Sequence, residues 1–183
     1  MKPTHIIGID NGITGGLALL NMAGALITAT TMPTCFDRHL NANRIFPTML
    51  LNCLKTLHND AAYKDHVMRP PRDLKILVAI ELCPRHSRSK NAMRSMAISW
   101  GLAISTIELA GYEWTSANSG NSKASWQRCL LGRLEKDQTK PAAIALAREL
   151  WPHESFIPQR CRKPDTGMVD AALIAEHIRR IHL

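Results

Sequence analysis

The sequence predicts an α/β domain: an antiparallel three-strand meander, continued by parallel strands into one mixed sheet, with helices packed against it. Three observations carry this reading. Short β-branched runs alternate with a Gly-rich turn at the N-terminus, a continuous apolar run fills 74–80, and apolar residues elsewhere recur at helical spacing. A chain of 183 residues fits a single domain over 1–183 and buries a core without disulfides or a structural metal.

Ile6, Ile7 and Ile9, then Leu17, Leu19 and Leu20, read as two strands joined by a tight turn, and a third follows at 25–30 after Asn21-Met22-Ala23-Gly24. Over 42–57, Ile45, Met49, Cys53 and Leu57 fall at four-residue steps, which predicts one face of a helix. The stretch MRPPRD at 68–73 breaks regular structure, and 74–80 then has the character of a central strand. A helix is expected over 91–110 from Met93, Ala97, Trp100 and Ile104, and a short strand at 112–115. Two helices follow at 122–131 and 140–150, the second with Thr139 as N-cap and Pro141 in its first turn. A Pro- and cation-rich loop over 151–167 leads to a last helix at 168–181.

Composition narrows the partner. Against 15 acidic residues stand 23 basic ones, a net charge of +8, which favours a polyanion without separating nucleic acid from an anionic membrane or plain solubility. Cys35, Cys53, Cys83, Cys129 and Cys161 stand singly, so neither a CxxC zinc pattern nor a disulfide framework is present, and reduced thiols are expected. No apolar run approaches the roughly 20 residues of a membrane helix, and no secretory signal follows Lys2. No membrane role and a cytoplasmic setting are therefore expected. The histidines lack ligand spacing, with His177 and His182 expected at the surface, and the four tryptophans read as core.

The chemistry gathers at carboxylates. Asp10 and Glu81 each end a predicted strand, and in open α/β sheets the ligand crevice lies at such strand ends. Asp165 and Asp170 sit at the start of the last helix in CRKPDTGMVDAALIAEH. Carboxylates brought together repel unless a cation neutralises them. Mg²⁺ or Mn²⁺ prefers such hard oxygen donors, and two ions about 4 Å apart position the water and stabilise the leaving oxygen of a phosphodiester. Gly12, Gly15 and Gly16 are expected to leave room for a phosphate beside Asp10 and to give the turn positive φ. Directly after Glu81, the run PRHSRSK supplies Arg85, His86, Arg88 and Lys90 as phosphate contacts.

In order along the chain, GIDNGITGGLALL, VAIELCPRHSRSKNAMRSMAISWG and KPDTGMVDAALIAEH resemble the three motif blocks of RuvC-type Holliday-junction resolvases, within the ribonuclease H-like nucleases. The resemblance spans nearly the whole chain and implies a ribonuclease H-like fold. It also implies a homodimer that binds four-way DNA junctions and makes paired, metal-dependent nicks. It carries catalytic and metal-ligand roles to Asp10, Glu81, Asp165 and Asp170, with Mg²⁺ or Mn²⁺ as two ions per site. Two departures stand out. Thr166 and Gly167 occupy places where the family often has His or Asp, which makes Asp165 the less secure ligand. Gln127 stands where a lysine is expected, so Lys123 or Arg128 takes its place, while Lys140 matches a second family lysine. No aromatic lies between Glu81 and Trp100 to wedge the junction, leaving Leu82 or Cys83-Pro84.

Paired nicks call for a C₂ dimer. Its expected interface is the 91–110 helix, through Met93, Met96, Trp100 and Ile104 with the small Ala97, Gly101 and Ala103; the alternative is that this stripe is monomer core. Other readings are a ribonuclease H-like nuclease acting on RNA–DNA hybrids or flaps, and an inactive junction-binding protein. A sugar kinase also begins GIDxG, but the chain lacks the length and the second Gly-rich loop.

Overall fold

A computed structural model describes residues 2–39, 41–63, 74–83, 90–118 and 125–183, with 91 and 92 described for their backbone alone. The meander forms as expected: β1 (His5–Asp10), β2 (Gly16–Asn21) and β3 (Leu26–Thr31) pair antiparallel in sequence order. On the other side of β1 lies β6 (Ile76–Ile80), parallel to it, and then β7 (Glu113–Ser116), parallel to β6. The order β3-β2-β1-β6-β7 is the mixed sheet anticipated from the sequence, an antiparallel meander continued by parallel strands.

Between β3 and the first helix the sequence reading fails. A separate two-stranded hairpin forms from β4 (Thr34–Asp37) and β5 (Ala42–Ile45), and the helix α1 (Pro47–Tyr63) starts only after it. The four-residue spacing was misleading there: α1 buries Leu50, Leu54, Leu57 and Ala61, while Met49 of the expected stripe is 45% exposed. The helices α2 (Lys90–Leu109), α3 (Trp126–Leu131), α4 (Thr139–Leu150) and α5 (Thr166–Ile181) follow the expected order. Thr139 is not the cap of α4; Gln138 holds that position without a side-chain bond. Among the described residues, no helix is long and apolar enough to cross a membrane.

Strand alternation sorts side chains between two cores. Ile7, Ile9, Leu17, Leu19, Val78 and Ile80 face α1 and α2. Ile6, Ala18, Leu20 and Ala79 face α5, which is covered in turn by α3 and α4. Enclosed on both sides, α5 is buried almost continuously from Gly167 to Ile178. His177, expected at the surface, lies within that buried run, 6% exposed. Glu176 is buried too, and its charge is tolerated because Arg179 and Arg180 reach it at 2.7 Å each.

Glycines set how closely α5 lies on the sheet. A Cβ on Gly8, in the middle of β1, would fall 2.0 Å from the Ala171 carbonyl oxygen. At the other end of the contact Gly15 bridges to Gly167, and a Cβ on Gly16 would meet the Met168 backbone nitrogen at 2.8 Å. Gly16 and the Gly15–Gly167 bridge therefore serve helix–sheet contact, while a Cβ on Gly15 itself would strike the Asp10 carbonyl oxygen within the turn. Gly12, Gly15 and Gly16 do not take positive φ; among the described residues the glycines that do are Gly24, Gly111 and Gly132.

Candidate active site

The alternation that sorts the cores also aims the first two carboxylates. Asp10 shares the parity of Ile6 and Gly8, and Glu81 that of Leu77 and Ala79, so both strands deliver their acids to the α5 side. Ile9 pairs with Ile80, and the Glu81 N–H donates to the Ile9 carbonyl at 3.3 Å, which sets the two acids side by side at neighbouring strand ends. The close approach of α5 then brings its first turns over the same place.

At the start of α5, the two acids play different parts. Asp165 is the N-cap, its Oδ1 accepting from the Met168 N–H at 3.0 Å, and Asp170 lies beyond the first turn. Asp10 Oδ1 accepts from the Gly12 N–H at 3.1 Å, and Glu81 Oε1 accepts from Trp126 Nε1 at 3.3 Å. Each of these three carboxylates thus uses one oxygen to fix its orientation. Trp126, 1% exposed, is core as expected, but its indole N–H also positions Glu81, which sequence reasoning missed. The only signal for it was an indole in a helix otherwise read for its cations.

Electrostatics couples the group. Burial pushes the Asp10 carboxyl up, the Gly12 N–H eases this, Asp165 raises it again and Lys140 lowers it. Glu81 is raised by burial and then by Asp10, against the Trp126 bond. Asp170 is pushed up to about 7, first by burial, then by Asp10 and Glu81, with Lys140 opposing and Asp165 adding. Among the described residues Lys140, on exposed α4 surface, is thereby a predicted cation whose charge reaches Asp10 and Asp170. Lys90 opens α2 and Arg128 lies on α3, both exposed. Arg85, His86, Arg88 and Lys123 lie outside the described residues, as does Pro84 of the expected wedge; Leu82 is 41% exposed.

The donor chemistry suits a hard divalent cation: carboxylate oxygens only, their mutual repulsion already visible in the raised Asp170. As the side chains stand, no group of three or more His, Cys, Asp or Glu among the described residues is arranged to hold one. A cavity of about 500 Å³ beside His58, Lys75, Tyr112 and His182 lies at the opposite end of the sheet and holds none of these acids.

The raised Asp170 has a consequence for stability. Folded protein retains a proton there that the unfolded chain releases near 4, so stability falls as pH rises from about 4 to about 7 and stays reduced above it. Asp170→Asn removes that loss. After allowance for solvent screening of a half-buried group, the gain at pH 8 in chelator is about 2 kcal/mol, or roughly 5 °C in Tm, and it disappears at pH 4. Thermal melts of both proteins at the two pH values check this; an equal Tm at pH 8 contradicts the coupling.

No family model matches the chain, and no curated protein sequence matches it. Among solved structures it is similar to T. thermophilus RuvC in complex with a Holliday junction substrate, at 16% identity over 95% of this chain and 91% of that one, with a TM-score of 0.47. It is similar also to a Thermus thermophilus RuvC structure, at 15% identity over 96% of each chain and a TM-score of 0.48.

Proposed function

We propose that this chain is a structure-selective DNA endonuclease that resolves four-way junctions by paired, divalent-metal-dependent phosphodiester hydrolysis. The observation that carries the reading is the coupling of Asp10, Glu81 and Asp170, from three separate elements, at one sheet end. The three motif blocks that resemble RuvC-type resolvases contain these same residues. Asp10, Glu81, Asp170 and, through its second oxygen, Asp165 would hold Mg²⁺ or Mn²⁺, which supplies an activated water and charge stabilisation at the leaving oxygen.

The chain's own groups do the rest. The Gly12 N–H and the Trp126 indole hold Asp10 and Glu81 in their orientations. Lys140 draws the scissile phosphate toward the acids, offsetting carboxylate–phosphate repulsion. Lys90 and Arg128, together with Arg85, Arg88 and Lys123, contact phosphates along the arms and set position rather than sequence.

Paired cutting requires a homodimer, and α2 supports it only in part. Ala103 and Ile104 are core, and Trp100 packs on the same cluster, so they are not available to a partner. Met93 and Met96 are half-buried, Ala97 is exposed and Gly101 has open space around it. That loss of apolar stripe favours a second reading, a ribonuclease H-like nuclease of RNA–DNA hybrids or flaps working as a monomer. Synthetic four-way junction, duplex, flap and hybrid substrates, each with and without Mg²⁺, separate the two, with light scattering at micromolar protein alongside. Junction cutting by a dimer is the expected result; a monomer that cuts only hybrids or flaps overturns it.

A further inference from the structure

The β4–β5 hairpin takes no part in the site just described, yet it starts beside it. Thr31, the last residue of β3, pairs with Gly16, and the Met32 N–H donates to the Gly15 carbonyl at 2.8 Å. The chain therefore enters the hairpin at the sheet end that carries Asp10. Its base is fixed: Ile45 is fully buried, and the Phe46 N–H donates to the Pro33 carbonyl at 3.1 Å. Among the described residues its two strands form a separate sheet of two.

On this polar ribbon Phe36 is 58% exposed, directly opposite the exposed Asn43. An aromatic in that position adds little to the core beneath it. Arg38 and His39 are exposed at the tip, and across a cavity of about 330 Å³ Arg94 of α2 faces Asn43 and Arg44. The one acid of residues 34–49, Asp37, lies 2.6 Å from Arg44 Nε. That contact is an ion pair and not a well-angled hydrogen bond, since Arg44 Nε finds no acceptor of good geometry.

We propose that this hairpin is a second nucleic-acid contact, in which an unpaired base stacks on Phe36 while Arg38, His39 and Arg94 hold the adjoining phosphates. The proposal rests on the nuclease reading for the identity of its partner and specifies what that partner presents: bases splayed from a duplex, as at a branch point or a flap. An exposed ring offers a π-face on which any base stacks, and flanking cations track the backbone without reading sequence. A second copy of the chain is the poorer occupant, because a two-fold contact through this patch sets the same arginines against each other.

The test uses the full chain in chelator, so that binding is read without cutting, on single-stranded DNA and on a four-way junction carrying 2-aminopurine at the branch. Phe36→Ala is expected to weaken both by about tenfold and to abolish the change in 2-aminopurine emission, with the salt dependence unchanged. Phe36→Trp keeps the affinity and gains an indole signal quenched by DNA. Arg38→Ala flattens the salt slope by about one unit. Affinity of Phe36→Ala equal to wild type overturns the proposal, as does a variant whose mass in solution changes while its DNA binding does not. Cleavage by wild type in Mg²⁺ is scored separately: its absence ends the nuclease reading, and an effect of Phe36 confined to binding then still establishes the contact.

Discussion

Asp10→Asn, Glu81→Gln and Asp170→Asn are each expected to lower junction cleavage by on the order of 10³-fold or more, with junction binding kept or tightened. Each substitution preserves shape and removes one negative charge from a group whose members already feel one another. Cation affinity falls with that charge, while repulsion of the DNA phosphates falls too. Asp165→Asn should behave differently. Asn caps a helix as well as Asp does, so α5 keeps its start and the loss of cutting is smaller. Single-turnover cleavage in Mg²⁺, set beside binding in chelator, reads both quantities. Wild-type cutting by Asp10→Asn would show that the assignment is wrong.

The second large effect is expected at Gly167, which contributes no side chain at all. A Cβ there falls 2.3 Å from the Thr14 carbonyl oxygen and 2.5 Å from the Gly15 Cα, both backbone atoms that cannot swing aside. Gly167→Ala must lift the start of α5 from the β1–β2 turn, at a cost of about 3 kcal/mol and roughly 10 °C in Tm. Because Asp170 rides on that helix, cutting is lost well below the melting temperature. Gly8→Ala destabilises comparably, for it meets Ala171 in the same way. Gly101 is the contrast: a Cβ there meets nothing within 4 Å, and Gly101→Ala in the middle of α2 gains about 0.5–1 kcal/mol. Thermal melts of the three variants decide the matter, and a wild-type Tm for Gly167→Ala contradicts the close approach.

The meander, the parallel strands, the last helix and two of the acids were legible in the sequence because each depends on a local pattern. Apolar runs of β-branched residues mark where β1 and β6 end, and so identify Asp10 and Glu81 as the acids that close them. The hairpin at 34–45 was not legible. Ile45 and Leu57 are both buried and lie at helical spacing, but they belong to a strand and a helix that meet only in the folded chain. His177 likewise follows a charged residue near a terminus, yet lies in a helix covered on both sides.

Sequence by itself determined the sheet's strands, which acids close them and the basic charge that suits a polyanion. Tertiary structure alone decided that Asp165 caps α5, that the Trp126 indole N–H holds Glu81, and that the charge of Lys140 reaches Asp10 and Asp170 across from α4. It also decided that Gly8, Gly15, Gly16 and Gly167 serve a helix–sheet contact. The reason is range. Periodicity and propensity report how a segment is buried along its own length, whereas the Gly15–Gly167 approach joins backbones far apart in the chain and leaves no periodic trace in either segment.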